Sequence, residues 1–204
     1  MKRLFLTIIA LVAFAAGGFA QTADEILSRM DKEVDRGEKE GTAMTMVMKL
    51  PIIGEIYAHM KVLGDKSYAA LEGKDKKSYL WYDGDVCWDY TPEDNEIIIR
   101  TAKSDENSEK DLASGLTEGY KATIVGETAD TWKIKCVKTR DNTDKNDPKR
   151  MDLVVSKKTY LPVSLVAKVR MVTITLRDYS IGVSPEEVTF DKNAFPGVKI
   201  TDKR

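Results

Sequence analysis

Few side chains in this sequence could do covalent or metal chemistry. His59 is the only histidine, and Cys87 and Cys136 are the only cysteines. One histidine cannot build a multi-histidine zinc site, and a Ser–His–Asp relay would have to use His59 alone. No Gly-x-Ser-x-Gly nucleophile elbow is present. His59 alternates in phase with Tyr57 and Lys61, which reads as a solvated surface. Cys87 falls in phase with Asp89, away from Val86, Trp88 and Tyr90, whereas Cys136 shares the apolar phase of Trp132 and Ile134. The two thiols are therefore expected on opposite faces and unpaired, without a catalytic role. No enzyme activity, cofactor or metal site is expected.

What remains is binding chemistry. Met44, Met46 and Met48 alternate along one segment, and Ile56, Ala58 and Met60 alternate along the next. Flexible, polarizable methionines can line a site that adapts to an acyl chain, but they also fill gaps in ordinary cores. Composition alone favours the core reading. Trp81, Trp88 and Trp132 lie in separate segments and read most simply as core.

These residues need elements to position them. Thr22-Ala-Asp-Glu25 has the form of a capping box, and Ile26, Leu27, Met30 and Val34 follow at helical spacing, so a helix is predicted over 23–38. Most of the remaining chain has period two. Strands are predicted near 44–50, 56–63, 67–72, 78–82, 86–90, 96–101, 120–127, 131–139, 151–156, 162–170 and 172–181, with a short one at 188–190. Asp83-Gly84 marks a tight hairpin. Residues 103–119 are polar and predict a helical insertion. The fold class is α+β, mainly β: one large curved antiparallel sheet with the N-terminal helix and the insertion on its concave side. So many strands must curl or close, and one or two helices cannot fill the concavity, which makes an apolar cavity plausible. The candidate lining is Met44, Met46, Met48, Ile56, Ala58, Met60, Trp88 and Trp132.

Length and charge narrow the setting. Residues 1–20 have a basic start, an uncharged run from Leu4 to Ala16, and Gly-Gly-Phe-Ala, the form of a secretory signal peptide. Its removal takes away Lys2 and Arg3, so the net charge of −1 becomes −3. Residues 21–204 suit a single domain. Gln21 is not the cysteine of a lipid-anchored protein, and no later run approaches the ~18 apolar residues of a membrane span. A mixed, mildly acidic surface argues against a nucleic-acid partner. Export to an oxidising compartment would permit a disulfide, which the alternation opposes.

The segment Asp83-Gly-Asp-Val-Cys-Trp88-Asp-Tyr90-Thr-Pro92 resembles the LolA family of periplasmic lipoprotein carriers, with an Asp-Gly turn followed by Trp-x-Tyr-x-Pro. Thr159-Tyr-Leu-Pro162, then Phe190 and Pro196-Gly-Val-Lys-Ile-Thr-Asp202, are similar to later family motifs in the same order. The resemblance covers essentially all of 21–204. It implies an unclosed β-barrel under a helical lid and a monomeric periplasmic chain. The cavity would take the acyl chains of lipoprotein cargo between an inner-membrane ABC-type releasing complex and an outer-membrane acceptor. The family's lid-closing Arg and its following Pro are missing from Lys61–Tyr68. The fold also resembles the N-terminal part of the envelope-stress regulator RseB, which implies an interaction or sensor module as the alternative.

Overall fold

The structure is a computed structural model and describes residues 21–102 and 117–204. The expected signal peptide, 1–20, and residues 103–116 of the expected insertion lie outside the described residues.

Helix α1 spans Ala23–Glu40. It begins where the capping box predicts: Glu25 N–H donates to Thr22 Oγ1 and Thr22 N–H donates to Glu25 Oε2. Asp24 and Glu25 place negative charge against the positive end of the helix dipole. The helix runs past Gly37 and stops at Gly41, whose φ of 80° is a conformation that favours glycine. Gly37 has a different purpose. A Cβ there would lie 2.6 Å from Thr42 Cγ2, so only glycine lets the helix press this closely on the sheet.

The strands are β1 (Thr42–Leu50), β2 (Gly54–Leu63), β3 (Lys66–Glu72), β4 (Lys77–Tyr82), β5 (Val86–Thr91), β6 (Glu96–Thr101), β7 (Tyr120–Glu127), β8 (Thr131–Lys138), β9 (Arg150–Ser156), β10 (Pro162–Val169), β11 (Val172–Ile181) and β12 (Lys199–Asp202). They form one 12-stranded sheet in the order β12-β6-β5-β4-β3-β2-β1-β11-β10-β9-β8-β7. The sheet does not close, so β12 and β7 are its edges. This is the unclosed barrel expected from the sequence.

Three details depart from expectation. Val188–Phe190 is not a strand. Pro185–Val188 is a short helix, α2, because Ser184-Pro185-Glu186-Glu187 carries helix-start signals: proline in the first turn, acidic residues beside it, and Ser184 N–H bonded to Glu187 Oε2. The final strand is instead β12, and it pairs parallel to β6, whereas the strand pairs among β1–β11 are antiparallel. The third departure concerns the two thiols. Directly paired residues of adjacent strands point to the same face of a sheet. The pairs Cys87–Tyr82, Tyr82–Ser67, Ser67–Val62 and Val62–Thr42 put Cys87 on the face of Thr42 and Met48. The pairs Cys136–Met151, Met151–Ala167, Ala167–Ile174 and Ile174–Met48 put Cys136 there too. The thiols share one face, but β5 and β8 are far apart in the sheet, and both cysteines are free.

The shared face, called inner here, carries α1. Ile26, Leu27, Met30 and Val34 pack on Trp132, Ile134 and Cys136 of β8, Met151, Leu153 and Val155 of β9, and Leu165 and Ala167 of β10. Each large apolar side chain buried in this way contributes about 1.5–3 kcal/mol.

The outer face has its own cover. Residues 183–198, a strap containing α2 and a turn of 3₁₀ helix at Lys192–Ala194, cross the outside of β2–β6. Phe190 stacks on Trp88 with centroids 5.2 Å apart, and Phe195 packs on Tyr90 at 4.8 Å and Trp81 at 5.7 Å. Lys61 pins the strap through Glu187 at 2.6 Å. That bond and the Ser184 backbone N–H hold the Glu187 carboxyl down to about 2.

Ile26→Ala should cost about 2–5 kcal/mol in urea unfolding. A change near zero would mean that α1 is not packed on the sheet in this way. Burial pushes the Cys136 thiol up to about 11 and also raises that of the half-buried Cys87. Iodoacetamide at pH 8 should therefore label Cys87 first and Cys136 only on unfolding, as read by mass spectrometry. Equal labelling of both in the folded chain would contradict the burial described.

Candidate functional site

The β1–β2 hairpin builds the candidate site. Its register pairs Met44 with Met60, Met46 with Ala58 and Met48 with Ile56, so all six point to the inner face. The surface continues in both directions. Met46 and Met48 pair with Leu176 and Ile174 of β11, while Ala58 and Met60 pair with Leu71 and Ala69 of β3, which leads to Leu80 of β4. Ala58 is buried and the other apolar residues named are only partly so. None of Met44, Met46, Met48, Ile56 or Met60 belongs to the buried cluster beneath α1, and of β11 only Leu176 and Tyr179 pack against it. Among the described residues, α1 buries its stripe on β8–β10 and meets β1, β2 and β11 near Thr42, Val62, Tyr179 and Ile181, which leaves an apolar trough over the rest of β11-β1-β2-β3.

The trough changes character at its borders. Toward β5 and β6 the same face carries Cys87, Asp89 and Arg100, with Arg100 Nη2 3.5 Å from Asp89 Oδ2. Asp31 Oδ1 on α1, and the Tyr179 hydroxyl next to Gly37 of the same helix, are buried without a hydrogen-bond partner among the described residues. Burial, with Asp35 second, raises the Asp31 carboxyl, and burial, with Glu38 second, pushes the Tyr179 hydroxyl up to about 12.

The two tryptophans expected to line the cavity lie elsewhere. Trp88 pairs with Trp81, which pairs with Tyr68, which pairs with Lys61, so it stands on the outer face beneath the strap. The apolar phase of β4–β6 is the outer one, and alternation alone does not say which phase faces in. Trp132 does face inward, but at 9% exposure it is packed in the core beside Tyr160, with Lys157 Nζ 5.6 Å above its ring. Sequence reading missed Leu71, Leu80, Ile174 and Leu176. For β11 the obstacle is a bulge: Asp178, at φ 57°, is an extra residue opposite the Ala43–Thr45 step and shifts the phase between Leu176 and Tyr179.

His59 is exposed, and its Nδ1 lies 3.1 Å from Oγ1 of the buried Thr45. The described residues contain no group of three or more acidic, histidine or cysteine side chains that could hold a metal ion. No helix among them is long and apolar enough to cross a membrane.

No protein-family model matches the chain, and no curated protein matches it. Solved structures do. The lipoprotein LppX of Mycobacterium tuberculosis aligns at TM-score 0.49 and 14% identity, over 76% of this chain and 93% of its own. A conserved protein from Thermus thermophilus aligns at TM-score 0.48 and 13% identity, over 90% of this chain and 100% of its own. A LolA superfamily protein from Nitrosomonas europaea aligns at TM-score 0.35 and 12% identity, over 85% of this chain and 100% of its own. The chain is similar to these proteins in general architecture, at values that carry nothing about what it binds.

Proposed function

We propose that this chain is a carrier that holds the acyl chains of a lipid or lipoprotein in the trough of Met44, Met46, Met48, Ile56, Ala58 and Met60. The observation that supports this is the unequal cover of the sheet. The strap covers the outer aromatic face and α1 covers the β8–β10 part of the inner face. Past Leu176, which packs against the cluster beneath α1, a run of apolar side chains, all but Ala58 partly buried, continues over β1, β2 and β3. Burying an acyl chain there removes it from water at about 0.8 kcal/mol per CH₂. Methionines can follow chains of different shape without a fixed pocket, which also favours release. Trp132 supports the adjoining wall from within the core.

In this reading the chain acts in the periplasm after export. It takes acylated lipoproteins from an inner-membrane ABC-type complex and passes them to an outer-membrane acceptor. It acts without catalysis, by binding and release. That route is supported by the signal-peptide-like start and by the motif resemblance at 83–92, 159–162 and 190–202.

Met46→Asp should weaken retention of a fluorescent fatty acid at least about tenfold while the far-UV spectrum stays unchanged, because it places a charge in the middle of the trough. Met46→Leu should retain binding. Val166→Asp, exposed on the outer face, serves as the control and should bind normally. Unchanged affinity in a folded Met46→Asp protein would remove the trough from the mechanism. Purification from expressing cells with a stoichiometric protein and no lipid would point instead to the interaction module.

A further inference from the structure

Two neighbouring hairpin tips expose apolar side chains that the rest of the fold does not use. In the β1–β2 turn, Pro51-Ile52-Ile53-Gly54, Ile52 is 106% exposed and Ile53 60%. In the β10–β11 turn, Met171 is 74% exposed. The tips adjoin, because β1 pairs with β11 and Lys49 lies opposite Thr173 at the last step before both turns. The backbone at Ile52 is costly as well. Its φ is 76°, and Ile53 N–H donates to the Pro51 carbonyl at 2.9 Å, which makes a γ-turn of the rarer, positive-φ hand. A β-branched residue is among the worst choices for that conformation, and glycine is the best. Folding alone accounts for neither the residue nor its exposure.

Charge and position indicate what meets these tips. Lys49 and Lys168 both lie opposite Thr173 on the outer face just behind them, and Arg170 is at the turn itself. Glu55 is the nearby acid, 3.6 Å from Lys49. Apolar points backed by a ring of cations match the boundary between acyl chains and anionic headgroups. The trough also ends here: past Met48, Ile56 and Ile174 the inner face carries only Leu50 and Val172 on these strands before the turns. Both ends of α1 are at the opposite ends of the strands: Gly37 beside Thr42 and Ile181, and Gln21 bonded to Tyr160. Within the described residues the helix leaves the tip end of the trough open.

We propose that the two tips form a membrane-docking edge. Ile52, Ile53 and Met171 enter the interfacial layer of an anionic bilayer while Lys49, Lys168 and Arg170 engage lipid phosphates, bringing the mouth of the trough to the membrane surface. The docking does not depend on the carrier reading, because a chain can bind vesicles without retaining lipid, and the reverse.

The test is flotation of the protein, as processed and released by expressing cells, with vesicles of phosphatidylglycerol and phosphatidylethanolamine, and with vesicles of phosphatidylcholine. The protein should float with the anionic vesicles, less so in high salt, and the I52S/I53S/M171S variant should lose at least about tenfold in partitioning. The K168S/R170S variant should reduce binding to the anionic vesicles selectively. Ile52→Gly separates docking from folding: it should keep or raise the melting temperature by relieving strain, yet weaken flotation. A wild-type protein that stays with the soluble fraction, or an I52S/I53S/M171S variant that floats as well as wild type, overturns the proposal. Met46→Asp should float normally, so loss of lipid retention and loss of docking are read separately.

Discussion

Helix α1 has 18 residues and so reaches about 27 Å, whereas twelve strands in one sheet span about 50 Å along their arc. Such a sheet offers far more inner surface than one helix can cover. Apart from irregularities at Ala43–Thr45, Pro162–Ser164 and Ile124–Gly126, the strands between the edges pair on both sides, so the sheet is held together without needing a fully covered face. The cover becomes a matter of side-chain burial, and it is distributed unevenly: Ile26, Leu27, Met30 and Val34 complete a dry core over β8–β10, and the apolar surface of β11-β1-β2-β3 continues beyond them.

The outer face solves the same shortage by different means. The aromatic phase of β4 and β5 turns outward, and the strap lays Phe190 and Phe195 on it. One half of the sheet is thus sealed on its inside and the other on its outside. The two seals meet at the start of β1, where Gly37 lets α1 come close to Thr42 and Gly41 lets the chain turn beneath Val183. The six-residue inner surface of the β1–β2 hairpin lies between the two seals, and that position matters more to its availability than the number of methionines it contains.

Much of this was legible in the sequence because the signals are local. The Thr22–Glu25 box set the start of α1, Asp83-Gly84 set a hairpin, and the alternation at 44–60 put Met44, Met46, Met48, Ile56, Ala58 and Met60 on one face. Information that resides in pairing was not legible. Trp88 and Cys87 exchange faces relative to the simple reading because hydrophobicity marks a buried phase without saying which side it is buried on. Leu176 and Tyr179 share the inner face despite their odd spacing because Asp178 inserts an extra residue. β12 escaped notice because four residues, Lys199–Asp202, carry little alternation; its parallel seat is held by the ladder to β6 and by Glu96, which meets both Lys199 and Thr201.

The strap and β12 follow all the other strands in chain order, and that order sets the timing of folding. A chain that emerges amino end first can form its hairpins from β1 to β6 early, since each is local. It cannot shelter Trp81, Trp88 and Tyr90, or close the bare edge of β6, until residues 185–202 have arrived. Until then the molecule presents a sticky aromatic surface beside an open strand, the sort of intermediate that a holding chaperone would recognise. A chain truncated near Phe190 is left with both hazards exposed.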